Sequence, residues 1–179
     1  MKVASLALPN LSLVLGGASS GKSAFAEGLV LGTGLAPVYI ATAQIWDAEM
    51  ADKVAAHKLQ RGDGWQTIEE PLAVDAVLAG VNASQAVLID CATLWLTNLM
   101  LTEADLPRAE EGLFAALAAC PAPVVIVSNE VGMGIVPDNA LARRFRGAQG
   151  GFNRRIAAQA GLVVTVIAGL PLVLKGQLP

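Results

Sequence analysis

The chain has 179 residues, with 12 Lys and Arg against 15 Asp and Glu, a formal charge of −3; 54% of its residues are hydrophobic and only 15% charged. That composition excludes intrinsic disorder, and the missing surplus of Lys and Arg argues against nucleic acid as a partner. A single His and two distant Cys exclude a His-rich or Cys-rich metal site.

At about 150 residues per domain, the chain reads as one domain over 1–179. Its first apolar run, Leu11–Leu15, reads as a strand, and a helix is expected over Lys22–Leu31. Pro37–Ala41 is a second strand, followed by a helix over Asp47–Arg61 and another over Pro71–Ala79. Ala86–Asp90 is a strand, and helices are expected over Ala92–Leu101 and Leu106–Ala119. Pro123–Ser128 is the next strand and Asp138–Gln159 a long helix. Gly150-Gly151 inside that helix costs about 1 kcal/mol per glycine relative to Ala, so a kink or break is expected there. Leu162–Ala168 is a strand, and Leu170–Lys175 follows after too short a break for a crossover, so it is expected as an antiparallel edge hairpin.

None of these runs alternates with polar residues, so they read as parallel strands buried on both faces. The most apolar stretch, Leu162 to Leu174, is interrupted by Thr165, Gly169 and Pro171. It falls short of the roughly 20 apolar residues a spanning helix needs, so no integral membrane segment is expected. Pro9, Asn10 and Ser12 break the only N-terminal candidate for a signal sequence. Cys91 and Cys120 sit in apolar contexts, which suits reduced thiols in a cytoplasmic protein.

Gly16-Gly17-Ala18-Ser19-Ser20-Gly21-Lys22-Ser23 fits G-x-x-x-x-G-K-[ST] between a strand and a helix. Glycines let backbone N–H groups turn inward around phosphate oxygens, and the helix N-terminus adds its positive dipole end. Lys22 is expected at the β- and γ-phosphates and the Ser23 hydroxyl on Mg²⁺. A second Mg²⁺ contact is expected from Asp90, which closes the apolar run Val87-Leu88-Ile89; capping the next helix is its alternative role. Loop and element order together predict an α/β fold of the P-loop NTPase-like (RecA-like) kind. Its sheet is mostly parallel, with helices on both faces and an antiparallel C-terminal edge strand.

On the helix expected over Asp47–Arg61, Met50, Ala51, Val54 and Ala55 form an apolar stripe, while Glu49, Lys53, His57 and Arg61 follow at i+4 on another face. Lys58 and Arg61 beside His57 favour the neutral, nucleophilic imidazole and would also hold a phosphate. A solvated helix face is the plainer reading of the same spacing. Arg143, Arg144, Arg146, Arg154 and Arg155 form a second basic cluster, a phosphate-facing patch or equally a solvated face or subunit contact. Trp65 and Trp95, in apolar settings, read as core or interface rather than base-stacking platforms.

The phosphate loop, Tyr39-Ile40-Ala41-Thr42-Ala43, Asp47-x-Glu49-Met50 with His57 and Arg61, and Trp65 to Pro71 resemble one family in order and spacing. Asp90-Cys91-x-Thr93-Leu94-Trp95-Leu96-x-Asn98-Leu99 and Asn129-Glu130-Val131-Gly132-Met133-Gly134-Ile135-Val136-Pro137 continue the resemblance over nearly the whole chain. The family is the bifunctional adenosylcobinamide kinase / adenosylcobinamide-phosphate guanylyltransferase of cobalamin biosynthesis. The resemblance implies phosphorylation of adenosylcobinamide by ATP or GTP. It then implies transfer of GMP from GTP through a covalent histidine, with release of pyrophosphate, to give adenosylcobinamide-GDP.

The family's histidine lies on the helix after Asp-x-Glu-Met, where this chain offers only His57. By the same resemblance, Ala41, Thr42, Ala43, Lys58 and Arg61 line the nucleotide site, and Glu69 and Asp90 contact guanine, ribose or Mg²⁺. Asn129 and Glu130 follow the strand Pro123–Ser128 at the edge where α/β sheets bind ligands and are candidates for the corrinoid arm, with capping of the loop as the equal alternative; the resemblance implies a trimer. Ser19, Ala24, Gly147 and Gly151 depart from the family's usual residues. Two other readings stand beside this one: a simple P-loop small-molecule kinase, and a non-catalytic GTP-binding regulatory domain.

Overall fold

A computed structural model describes residues 7–44, 62 and 64–179. Its strands are β1 (Leu11–Gly16), β2 (Ala36–Ala41), β3 (Gln66–Glu69), β4 (Gln85–Asp90), β5 (Val124–Asn129), β6 (Leu162–Ile167) and β7 (Leu170–Lys175). They form one sheet in the order β3-β2-β4-β5-β1-β6-β7. Every pairing is parallel except the antiparallel β6–β7 pair. The helices are α1 (Lys22–Leu31), α2 (Val74–Ala79), α3 (Ala92–Leu101), α4 (Leu106–Ala119) and α5 (Ala140–Gln159). The helix expected over Asp47–Arg61 lies outside the described residues.

β-branched and leucine-rich runs form the middle of the sheet because both of its faces are covered. On one face Val14, Leu88, Val125 and Val164 pack with Ala26 and Val30 of α1. On the other, Leu13, Ile89 and Ile126 pack with Trp95 and Leu96 of α3, Leu113 and Leu117 of α4, and Phe152 and Ile156 of α5. Trp95 is therefore core, and its indole N–H donates to the Leu72 carbonyl at 2.8 Å. Trp65 is half-buried and meets Tyr39 edge-on, with ring centroids 5.9 Å apart. Both cysteines are buried and free.

The strand order sets the site. The chain leaves β1 for β2, beyond β4 and β5, and later crosses from β5 past β1 to β6. This reversal opens a crevice at the carboxyl ends of β1, β4 and β5, where open α/β sheets bind ligands. Register brings Gly16 opposite Asn129, and Asp90 opposite Ala41 and Val127.

Three elements differ from the sequence reading. β3 is an additional four-residue edge strand, too short for its periodicity to be legible. α2 begins at Val74 rather than Pro71, because the Glu70 carboxylate accepts the Leu72 and Ala73 N–H groups at 2.9 and 2.8 Å and shapes a turn first. α5 runs through Gly150 and Gly151 as one helix, without the break that was one form of the expected disruption. Phe152 and Ile156, 1% and 0% exposed, anchor it to the sheet. Burying two such side chains contributes about 1.5–3 kcal/mol each and offsets the glycines' helix cost. The β6–β7 hairpin is as expected, its turn made by Ala168 and Gly169 at φ 52° and 78°. Positive φ at both turn residues matches the right-handed twist of the strands.

Candidate active site

The phosphate loop joins β1 to α1. Gly21, the residue before α1, sits at φ 90°, and Ser19 at φ 54°. Both fall in the left-handed region, which turns successive N–H groups toward one centre. Gly16 is packed so closely that a Cβ there would meet the Ser20 side chain and lie 2.8 Å from the Val166 carbonyl. The β6–β7 turn braces the loop from outside through the Gly169 N–H, which donates to the Ser20 carbonyl at 2.8 Å. Lys22 Nζ donates to the Gly17 carbonyl at 3.0 Å, placing the ammonium across the mouth of the loop. Ser19, Ser20, Gly21, Lys22 and Ser23 line a cavity of about 310 Å³ there, flanked by Ala24 and Glu27.

Across the crevice, Asp90 closes β4 and accepts the Tyr39 hydroxyl at 2.9 Å. Cys91, not Asp90, occupies the N-cap position of α3, and it makes no side-chain cap bond. Burial pushes the Cys91 thiol up to about 11; Asp90 adds to the rise and Lys22 opposes it. Ser23 and Asp90 offer one hydroxyl and one carboxylate, a donor set that suits Mg²⁺, which takes few protein oxygens and completes its shell with phosphate and water. No cluster of three or more His, Cys, Asp or Glu able to hold a metal by itself occurs among the described residues.

Thr42 is fully buried. Its hydroxyl donates to the Cys91 carbonyl at 2.7 Å and accepts the Cys91 N–H at 2.8 Å. That hydroxyl clamps the end of β2 to the end of β4. Ala41 ends β2, and Ala43 lies just beyond it, half-buried. Glu69 ends β3, exposed and in register with Ala41, two strands further from the loop than Asp90. His57, Lys58 and Arg61 lie outside the described residues.

Asn129 ends β5 and Glu130 follows it, directly beside the loop, the Glu130 N–H donating to the Gly16 carbonyl at 3.1 Å. The Asn129 N–H donates to Thr93 Oγ1 at 2.8 Å, and its carbonyl accepts Asn153 Nδ2 at 3.1 Å. Asn129 Oδ1 is buried without a partner. Behind them, Ser128, Gln149 and Asn153 form a buried polar triad with bonds of 2.6–2.9 Å that ties α5 to β5. Asn98 Nδ2 bonds the Thr42 and Pro71 carbonyls at 2.8 and 3.0 Å. The sequence reading missed these positioning residues. Their signal was Gln149 and Asn153 at i, i+4 on the face of α5 that also carries Phe152 and Ile156, where an apolar stripe should be unbroken.

Of the basic cluster on α5, Arg155 pairs with Glu110 of α4 and lies over the Phe114 ring at 5.3 Å. Arg143 and Arg146 instead bond neutral carbonyls of the preceding loop: Pro137 and Asp138 for Arg143, and Gly132 for Arg146.

The cobinamide kinase / cobinamide phosphate guanyltransferase family model matches residues 12–174. The chain belongs to that family. It is 45% identical over 168 residues to the bifunctional adenosylcobalamin biosynthesis protein CobP of Pseudomonas aeruginosa, covering 92% of this chain and 97% of that protein. It is 41% identical over 179 residues to CobU of Escherichia coli, described in the same words, covering 91% and 98%. The resemblance read from the motifs is thereby established, and the chain is an enzyme of this transferase family.

Solved structures that resemble it include the flagellar accessory protein FlaH of Methanocaldococcus jannaschii (TM-score 0.52, 14% identity, 96% of this chain and 83% of that one). Another is an ATPase of a bacterial type III secretion system (TM-score 0.58, 11% identity, 93% and 58%). At such identities they establish the fold, the P-loop NTPase architecture expected from the sequence. No helix among the described residues is long and apolar enough to cross a membrane.

Proposed function

We propose that this chain phosphorylates adenosylcobinamide with ATP or GTP and then transfers GMP from GTP to the resulting phosphate. The observation that supports it is the built phosphate loop, with Lys22 at its mouth and Asp90 across the crevice, in a chain of a family named for both transfers. In the first reaction the loop N–H groups and Lys22 draw charge from the terminal phosphates while the acceptor hydroxyl displaces the leaving nucleotide. Ser23 and Asp90 would hold Mg²⁺, which neutralises phosphate charge when bound.

In the second reaction His57 attacks the α-phosphorus of GTP. A P–N bond forms, the bond to the bridging oxygen breaks, and pyrophosphate leaves. The phosphate oxygen of adenosylcobinamide phosphate then attacks the same phosphorus, the P–N bond breaks, and adenosylcobinamide-GDP forms. Support for His57 is compositional: it is the only histidine of the chain. Lys58 and Arg61 then bind the nucleotide phosphates beside it, and Asn129 and Glu130 border the acceptor. Exposed Met133 and Ile135, with Leu170 and Leu172 of β7, supply apolar surface for a homo-oligomer, a trimer by resemblance.

The experiment is incubation of purified protein with α-labelled GTP, with and without the corrinoid. Acid-labile, base-stable label on the wild type, absent from His57→Asn, and phosphorylation of adenosylcobinamide abolished by Lys22→Ala, are the expected results. Corrinoid phosphorylation without protein label would leave the simple kinase; GTP binding without either transfer would leave the regulatory domain.

A further inference from the structure

On the face of the sheet opposite α1, α5 and the 130–136 loop wall a groove of about 890 Å³ whose floor includes Leu15 and Val163. Leu15 is the last residue before Gly16, so the groove begins where the phosphate loop begins. Arg143, Arg146, Arg154 and Lys175 border it against a single carboxylate, Glu130. Among the described residues none of these four cations takes part in an ion pair. Four positive charges around one carboxylate raise the local concentration of anions. Next to Glu130, the buried, unpartnered oxygen of Asn129 is an acceptor still lacking a donor.

One wall of the groove is the backbone of α5 at Gly147, Gly150 and Gly151. A Cβ at any of the three would meet nothing within 4 Å. The chain's own packing therefore does not ask for glycine there, although each costs the helix about 1 kcal/mol relative to Ala. The bare backbone leaves the groove wide.

Resting on the function proposed above, we infer that this groove binds the acceptor of the guanylyl transfer. Its phosphate monoester sits among Arg143, Arg146 and Arg154, and its bulky ring lies against the glycine wall. Arg143 and Arg146 also brace the 132–138 loop, so the groove forms and binds through the same side chains. The nucleotide then enters from the loop's cavity and the acceptor from the other side of β1.

The test uses Gly150→Leu, which projects a side chain into the groove from a position where a Cβ meets nothing within 4 Å, and Arg154→Ala, which removes a cation that braces nothing. Adenosylcobinamide phosphate is titrated against each protein without GTP and followed by its visible absorbance. Gly150→Leu is expected to weaken binding by about tenfold or more and Arg154→Ala by about fivefold. Labelling by α-labelled GTP reports separately on the nucleotide side and should proceed in both variants. Unchanged affinity in both variants overturns the inference. So does a change in subunit number on Gly150→Leu in sedimentation, which would make the groove a contact between copies. A wild type that takes no label from GTP refutes the proposed function instead, so the two failures are distinct.

Discussion

Two glycine-rich regions flank the start of the crevice and owe their glycines to opposite causes. In the phosphate loop the backbone itself demands two of the three: Gly21 sits at φ 90°, and a Cβ on Gly16 would press on Ser20 and the Val166 carbonyl. On α5, ordinary helical geometry holds Gly147, Gly150 and Gly151 with open space where their side chains would be. The first set makes a backbone shape; the second keeps a volume empty. A glycine's meaning is thus not read from its frequency, but from whether the chain's own atoms fill the place of its Cβ.

The largest expected effect lies on the loop side. Lys22→Ala should lower the corrinoid kinase rate by about 10³-fold with the fold intact, checked by transfer of γ-label under single turnover. Gly16→Ala should destabilise the protein by about 1–3 kcal/mol and raise KM for GTP, read by urea unfolding and initial rates. A neutral outcome would mean that the loop relaxes at no cost and would erase the contrast.

The clamp beneath the site comes next. Asn98→Leu strands the Thr42 and Pro71 carbonyls, and should cost about 1–3 kcal/mol, a fall in Tm of about 2–12 °C. The smallest effect has the opposite sign. Gly147→Ala should stabilise α5 by up to about 1 kcal/mol, raising Tm by about 2–4 °C. Alanine substitution would then destabilise one glycine-rich region and stabilise the other.

The same contrast explains what was legible in the sequence. The phosphate loop is contiguous, its chemistry fixed by eight residues at set offsets, so Gly16–Ser23 is legible from residue order and spacing alone. Parallel strands buried on both faces announce themselves as apolar runs, and Asp90 at the end of one was legible for that reason. The groove gathers Leu15, Glu130, Arg146 and Lys175 from four separate elements, and no local pattern records such a meeting. Thr42 shows the limit from the other side. Resemblance placed it at the nucleotide site, while its long-range bonds to Cys91, a structural role of the hydroxyl, left no trace in the local sequence. The continuity of α5 was likewise hidden, because glycine's local cost is visible in sequence and the tertiary burial of Phe152 and Ile156 is not.

The central claim is that one phosphate loop serves two successive transfers. It is tested most directly by giving the protein adenosylcobinamide with GTP labelled at both the α- and γ-phosphates. The account predicts that γ-label appears first as a monoester on the corrinoid. Label from the α-position then passes through the protein, and both end in one corrinoid-linked diphosphate. A product that carries γ-label but never α-label, with no label on the protein, would contradict it.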